Sequence, residues 1–99
     1  MPIHYTCPRL NYFSVSSTLA TQIPQASGFG YGLWMDDNKE KICVTYFGEG
    51  ASSEGDFYTG VNFAAVLKSH VLFICRNNGY AISTPVREQT VADGILPKA

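Results

Sequence analysis

Two short polar segments contain the residues of this chain best suited to chemistry. The first, Gly48–Gly50, places a glutamate between two glycines. Glycine has no Cβ and lets the backbone come close to a ligand. The helix predicted to follow would present free N–H groups, which attract phosphate. Because Glu49 alone would repel a phosphate, it indicates a divalent cation between them, and magnesium is often held by one carboxylate together with phosphate oxygens.

The second segment, Arg76–Asn78, can complete such a site. The amide oxygen of Asn78 and the backbone carbonyl of Tyr80 are oxygen ligands of the kind that magnesium prefers. The guanidinium of Arg76 can neutralise the remaining phosphate charge. Taken alone, Gly-x-Gly and Asn-Asn-Gly are ordinary turns in most proteins. Their combination, one crossover apart, predicts a metal and diphosphate site.

The elements that must position these segments are two strands and the helix between them. Ile42–Phe47 and Val71–Cys75 are short apolar runs typical of buried strands. The helix is predicted to begin in Ala51–Glu54 and to end near Lys68. Continuous apolar strands joined through a helix predict a parallel sheet with a right-handed crossover. Ligands of such sheets bind beyond the carboxyl ends of the strands, where both polar segments lie.

A further helix is predicted before the first strand, at Leu19–Trp34, with Ser17–Thr18 as its N-cap. It contains Gly28, Gly30 and Gly32, each of which weakens a helix by up to about 1 kcal/mol. These glycines indicate that another backbone or a ligand packs closely there. The predicted order is therefore helix, strand, helix, strand, an α/β arrangement.

Composition restricts the classes of protein to consider. Of 99 residues, 45% are hydrophobic and 15% are charged, a globular balance. Since soluble domains usually carry roughly 25% charged residues, a segment largely covered by other chain is favoured over an independent compact domain. A net charge of −1 without basic runs argues against nucleic-acid and anionic-membrane partners. No apolar run approaches the ~18 residues of a membrane span, and residues 1–10 resemble no signal peptide or presequence.

The cysteines and histidines add no catalytic or metal-binding pattern. Cys7, Cys43 and Cys75 are odd in number and widely spaced, which indicates reduced thiols in an intracellular setting rather than a zinc site. His70 falls at a helix-to-strand junction and is predicted to lie on the surface. His4 is in a segment of loop or poorly defined strand that covers residues 1–15.

The runs Gly48–Asp56 and Cys75–Pro85 closely resemble the alpha subunit of branched-chain 2-oxo acid dehydrogenase, the thiamine diphosphate-dependent, decarboxylating component of that complex. The resemblance includes Ser16–Gly28 and extends from Met1 to about Ile95, while Leu96–Ala99 departs from it. It implies a parallel-sheet thiamine diphosphate-binding fold of which only part is present. Residues 1–99 would form one partial domain, with no second domain.

The resemblance also implies roles for individual residues. Position 18 is commonly proline in this family, but Thr18 keeps the backbone carbonyl that could bind an ion. Leu19 resembles the apolar residue that wedges the cofactor into a bent shape. The implied ligands are Glu49, Asn78 and the Tyr80 carbonyl for magnesium, Ser16, Thr18, Thr21 and Gln22 for potassium, and Ser17, Leu19, Gly50, Ala51 and Arg76 for the cofactor.

The substrate class follows from two residues. The general thiamine motif has aspartate where this chain has Glu49, and glutamate there together with Arg76 favours the branched-chain enzymes over the pyruvate type. Two other classes remain open: a subunit of a pyruvate or acetoin dehydrogenase, and a phosphate- or nucleotide-binding module without a thiamine role.

The activity implied by the resemblance is that of a 3-methyl-2-oxobutanoate dehydrogenase of the 2-methylpropanoyl-transferring type. It decarboxylates branched 2-oxo acids and passes the acyl group to the lipoyl arm of an acyltransferase. A beta subunit completes an alpha2–beta2 heterotetramer in the mitochondrial matrix. The family's catalytic histidine and phosphorylated serine loop would lie beyond Ala99, and further cofactor contacts before Met1. We therefore expect an internal fragment that has no catalytic residue and is inactive alone.

Overall fold

The computed structural model describes residues 3–91 and residue 95, so positions 96–99, where the resemblance ends, lie outside the described residues. The main elements alternate helix and strand as the sequence predicts. The helices are α1 (Gln22–Met35), α2 (Gly55–Leu67) and the short α3 (Val86–Gln89), the strands are β1 (Cys43–Gly48), β2 (Val71–Arg76), β3 (Tyr80–Ala81) and β4 (Thr84–Pro85), and two 3-10 helices span Pro8–Leu10 and Glu49–Ser53.

Strands β1 and β2 form a parallel pair, in register from Cys43 opposite Val71 to Gly48 opposite Arg76. This confirms the predicted α/β class and the parallel sheet. The observed strands end one residue later than the apolar runs, so Gly48 and Arg76 belong to the strands themselves. Beyond β2 the chain forms an antiparallel hairpin from β3 and β4, which the sequence analysis did not anticipate.

The core lies between the parallel pair and helices α1 and α2. Ile23 of α1 and Phe57 of α2 are the largest fully buried side chains, and they cluster with Phe47 of β1. The buried hydroxyl of Ser27 donates to the carbonyl oxygen of Gly60 at 2.7 Å, which joins the two helices by a hydrogen bond as well. The helices thus fix the position of the β1 end, where the candidate site begins.

The start of α1 differs from the prediction. Ala20 has φ of 67°, a left-handed conformation that cannot continue a right-handed helix, and its side chain is fully buried. Helix α1 therefore begins only at Gln22, and Ser17–Thr18 is not its N-cap. The segment before Ala20 is a turn, so the predicted capping role of these hydroxyls is wrong.

The start of α2 also differs. Residues Glu49–Ser53 form one 3-10 turn, and Glu54 then adopts an extended conformation with ψ of 147°. The α-helix begins at Gly55 rather than within Ala51–Glu54. The backbone N–H groups expected to face a phosphate therefore belong to a separate short turn directly after β1.

The three glycines of α1 have different surroundings. A Cβ on Gly30 would lie 2.7 Å from the backbone oxygen of His70, so this glycine is required for close packing against the start of β2. Gly28 and Gly32 have open space around them. The predicted close approach is therefore confirmed at Gly30 alone. His70, predicted to lie on the surface, is half-buried, and its backbone bonds to Gly30 and Cys43.

The opposite face of the parallel pair is open. Val44, Tyr46 and Leu72 point away from the helices and are 43%, 67% and 47% exposed. The chain measures 42 × 35 × 18 Å, a thickness that accommodates one layer of helices on one sheet. Among the described residues, no helix is long and apolar enough to cross a membrane.

Candidate functional site

The two polar segments leave the sheet at neighbouring points. Gly48 and Arg76 are register partners at the carboxyl ends of β1 and β2. Glu49 follows the first directly, and Asn77 and Asn78 follow the second. This confirms the expectation, made from one crossover's spacing, that both segments reach the same edge of the sheet.

Glu49 is buried, with 4% of its surface exposed. Its Oε2 accepts a hydrogen bond from Nε2 of Gln89 at 3.1 Å, a neutral partner. Within residues 3–91 and 95, no lysine or arginine forms an ion pair with it. Burying a carboxylate without a compensating charge costs roughly several kcal/mol of folding free energy, even when the carboxylate accepts one hydrogen bond. A cation beside this carboxylate would remove much of that cost, so Glu49 is suited to hold one.

The charge of Glu49 affects the pKa of Cys75, near the end of β2. Burial raises the pKa of the Cys75 thiol, and the negative charge of Glu49 raises it further. For Cys43, at the other end of the sheet, burial alone raises the pKa. Both thiols are therefore weak nucleophiles, and neither has the lowered pKa of a catalytic cysteine.

Asn77 and Asn78 each stabilise the turn that follows them. Oδ1 of Asn77 accepts from the backbone N–H of Gly79 at 2.9 Å, and Oδ1 of Asn78 accepts from that of Tyr80 at 3.0 Å. An amide oxygen has two lone pairs, so Asn78 can hold the turn and still bind a cation. The same bond fixes the position of Tyr80, whose carbonyl is the other predicted ligand.

The 3-10 turn and the hairpin are in direct contact. A Cβ on Gly50 would lie 2.9 Å from Cβ of Ala81, so only glycine allows β3 to approach this closely. Ala51 is buried, and its methyl group belongs to the hydrophobic core. The candidate role of Ala51 as a cofactor contact must therefore use its backbone.

The segment Ser16–Gln22, predicted to hold potassium, forms a turn that leads into the first residue of α1. Oγ of Ser16 accepts from the backbone N–H of Thr18 at 3.3 Å, and the carbonyl of Thr18 accepts from the N–H of Thr21 at 3.5 Å. Nε2 of Gln22 donates to the carbonyl of Tyr46 at 3.1 Å, which ties the segment to β1. The amide oxygen of Gln22 keeps its capacity to bind an ion.

The remaining predicted cofactor contacts are exposed. Leu19 has 59% of its surface exposed, although it adjoins the buried Ala20. The hydroxyl of Ser17 lies 2.5 Å from Nε2 of His4, a contact that the sequence analysis did not foresee. Arg76 is exposed at the end of β2. These side chains are available to a ligand.

Gln89 is the residue that the sequence analysis missed. It lies on α3, forty positions from Glu49, yet its amide contacts Glu49, Ser53 and the carbonyl of Thr84. No spacing or composition in the chain pointed to it, because the hairpin of β3 and β4 is what returns α3 to the end of β1.

The chemistry of the predicted ligands favours a hard cation. Within the described part of the chain, no group of three or more histidine, cysteine, aspartate or glutamate side chains could hold a metal. Zinc and other transition metals usually require such a group. One carboxylate with amide and carbonyl oxygens and a phosphate suits magnesium instead.

Comparison with known proteins identifies the family of this chain. The family model described as "Dehydrogenase E1 component" matches residues 1–99. The mitochondrial 2-oxoisovalerate dehydrogenase subunit alpha 1 of Arabidopsis thaliana is 59% identical over 98 residues, which cover 99% of this chain and 21% of the relative. The corresponding alpha subunits of Homo sapiens and Caenorhabditis elegans are 54% and 50% identical over 98 residues, which cover 99% of this chain and 22% and 23% of the relatives.

The chain thus spans about a fifth of the length of the curated relatives that it matches. The matched part contains the end of β1, the 3-10 turn, the hairpin and the Ser16–Gln22 segment. With a family model matched over its whole length and relatives at 50% to 59% identity, the chain belongs to the dehydrogenase E1 component family.

Proposed function

We propose that this chain forms the wall of a thiamine diphosphate site that holds the magnesium and diphosphate end of the cofactor. The observation that carries the proposal is the buried carboxylate of Glu49, which has a neutral partner and lies at the carboxyl edge of a parallel sheet beside a glycine-flanked turn. The E1 family is thiamine-dependent, and a metal between this carboxylate and a diphosphate would neutralise both.

Each predicted residue has a role in this site. Glu49, Asn78 and the carbonyl of Tyr80 bind magnesium. The backbone N–H groups of Gly50 and Ala51 donate to the diphosphate. Arg76 neutralises the charge of the phosphate oxygens and Ser17 binds them. Leu19 supports the bent cofactor.

A second ion site is proposed in the Ser16–Gln22 turn, where potassium would bind oxygens of Ser16, Thr18, Thr21 and Gln22. The hydrogen bond from Gln22 to the carbonyl of Tyr46 supports this role, because it holds the turn against β1. A cation here would stabilise the turn that carries Ser17 and Leu19 and so order the approach to the diphosphate.

The names of the relatives suggest the reaction. We infer that the chain is part of an alpha subunit that decarboxylates 2-oxoisovalerate and related branched 2-oxo acids in the mitochondrial matrix. The cofactor, when bound, supplies the carbanion that attacks the keto carbon. A beta subunit would cover the exposed pyrimidine side, and a lipoyl-bearing acyltransferase would accept the acyl group. Decarboxylation by this chain alone is not expected, because the beta subunit must complete the site.

Calorimetry on the assembled alpha and beta subunits tests the proposal. Wild-type protein should bind thiamine diphosphate only with magnesium present. Glu49→Gln should weaken that binding at least tenfold, because the loss of a charged metal ligand costs at least as much affinity as the loss of a ligand's supporting bond. Glu54→Gln, which removes the same charge from an exposed position five residues away, should bind normally. Equal binding by Glu49→Gln and wild type would overturn the site.

Binding and activity assays on the same assembled protein separate the two alternatives. Tighter binding of ATP than of thiamine diphosphate would favour a nucleotide-binding module. If thiamine diphosphate binds, turnover of pyruvate or acetoin faster than of 2-oxoisovalerate would place the chain in one of those dehydrogenases.

A further inference from the structure

Gln89 connects three segments through one amide. Its Nε2 donates to Oε2 of Glu49 and to the carbonyl of Thr84, both at 3.1 Å. Its Oε1 accepts from the hydroxyl of Ser53 at 3.0 Å. Glu49 and Ser53 lie at the two ends of the 3-10 turn, and Thr84 begins β4. The amide therefore links the turn to the hairpin and α3.

The chemistry of the partners fixes which way this amide points. A carboxylate and a backbone carbonyl can only accept hydrogen bonds, so the NH2 group must face them. A hydroxyl can donate, so it can satisfy the remaining Oε1. A reversed amide would place an oxygen against the carboxylate of Glu49 and repel it. All three contacts thus agree on one orientation.

Glu49 needs such support because its carboxylate has two oxygens and several rotamers. The bond from Gln89 uses one lone pair of Oε2 and leaves the other lone pairs of the carboxylate for a cation. A metal ligand whose second oxygen is already bonded is oriented before the metal arrives. Glutamate has one more methylene than aspartate and therefore one more rotatable bond. The hydrogen bond from Gln89 to Oε2 restricts this extra freedom of the Glu49 side chain.

We propose that Gln89 is the positioning residue of this site: it holds the Glu49 carboxylate in the geometry that binds the divalent cation. This inference rests on the proposed function and deepens it, because it assigns a role to α3. Gln89 does not touch the cation. It acts through Glu49, and Ser53 in turn orients Gln89.

The test uses the assembled alpha and beta subunits and magnesium itself as the probe, titrated calorimetrically at saturating thiamine diphosphate. Gln89→Leu removes the hydrogen bonds at similar size and should weaken magnesium binding about tenfold, as is typical when a metal ligand loses its supporting bond. Gln89→Glu places a second carboxylate against Glu49 and changes the pair's charge, so magnesium binding should weaken more than in Gln89→Leu. Arg87→Gln alters net charge equally on the same helix, at an exposed position, and should bind as wild type.

The melting temperature of the metal-free protein separates positioning from a purely structural role. Positioning predicts weakened magnesium binding in Gln89→Leu, in addition to any fall in the metal-free melting temperature caused by the lost hydrogen bonds. A lowered melting temperature together with unchanged magnesium affinity would overturn the proposal, and so would an equal loss in Arg87→Gln. Should Gln89→Leu not fold, Ser53→Ala, which removes one exposed hydroxyl, should cause a smaller loss in the same direction, and wild-type affinity there would count against it.

Failure of the proposed function gives a different result. If wild-type protein binds neither magnesium nor thiamine diphosphate, the site itself is wrong. If wild type binds both and the Gln89 variants bind them equally well, the site stands and the role of Gln89 is wrong.

Discussion

A buried carboxylate with a neutral amide as its partner destabilises the metal-free protein. Glu49 is in this position, with 4% of its surface exposed. We therefore predict that Glu49→Gln raises the unfolding free energy of the metal-free assembled protein by about 1 kcal/mol, since it removes an uncompensated charge and keeps an acceptor for Gln89. Thermal unfolding in the presence of a chelator measures this.

The control for Glu49→Gln is Glu54→Gln, which removes an exposed charge and should leave the melting temperature unchanged. Magnesium and thiamine diphosphate should reverse the order, because they stabilise only the protein that binds them. A metal-free Glu49→Gln protein that melts well below wild type would indicate that Glu49 is a structural residue.

The thiol of Cys75 can report the charge of Glu49. That charge adds to burial in raising the pKa of Cys75, whereas burial alone raises the pKa of Cys43. A raised pKa means less thiolate at a given pH below it. Removing the negative charge in Glu49→Gln lowers the pKa of Cys75, so we predict faster alkylation of Cys75 by iodoacetamide near pH 8 in the metal-free protein.

Cys43 serves as the internal reference in that experiment, because Glu49 does not contribute to its raised pKa. Its alkylation rate, followed by mass spectrometry of the two peptides, should be the same in wild type and Glu49→Gln. Equal acceleration at both cysteines would mean that the variant opens the structure rather than changing the local charge.

At the scale of elements, the contact between α1 and the start of β2 depends on one glycine. A Cβ on Gly30 would lie 2.7 Å from the backbone oxygen of His70, and backbone cannot move aside cheaply. We predict that Gly30→Ala lowers the unfolding free energy by about 1–3 kcal/mol, the usual cost of overpacking. Denaturant unfolding of the assembled protein measures the change.

Gly28→Ala is the matched change on the same helix. A Cβ on Gly28 would meet no atom within 4 Å beyond the helix's own backbone, so a methyl group fits there without displacing a neighbour. Alanine at this position should stabilise α1 by up to about 1 kcal/mol through its higher helix propensity. If both variants are stabilised, the close packing of Gly30 against His70 is wrong.

The apolar runs were sufficient to predict β1, β2 and their parallel pairing, because buried parallel strands are continuous in hydrophobicity. Their carboxyl ends then placed Glu49 and Asn78 at the same edge of the sheet without further information. The local pattern could not locate the start of α1, since nothing in an alanine at position 20 indicates a left-handed conformation. Tertiary burial of that residue decides it.

The missed part of the candidate site has a similar cause. The hairpin of β3 and β4 has only two residues in each strand, too short for a periodic signal. Its turn includes Ile82 with φ of 57°, an unusual conformation for a β-branched residue. Without the hairpin, the approach of Gln89 to Glu49 cannot be inferred, because it joins residues far apart in sequence.

At the scale of the whole molecule, the low charged fraction is consistent with the open face of the sheet. Parallel sheets are normally covered on both faces, yet helices α1 and α2 cover only one side of β1 and β2. On the other side, Val44, Tyr46 and Leu72 form an apolar surface in contact with solvent. This supports the interpretation that other chain covers much of this surface.

The open face therefore predicts how the 99-residue chain behaves when expressed alone. A contiguous apolar face on a sheet favours association, so we expect the chain to self-associate. The double variant Tyr46→Lys and Leu72→Lys should shift it towards monomer, because both substitutions place charges on this face. Light scattering coupled to size-exclusion chromatography at several concentrations measures the change.

The matched control is the double variant Met35→Lys and Val66→Lys, which adds the same charge at exposed apolar positions on α1 and α2. These residues lie on helices rather than on the open sheet face, so this variant should associate as wild type does. A similar shift towards monomer in both double variants would mean that net charge, rather than the sheet face, controls association. No shift in either would remove the open face as the cause.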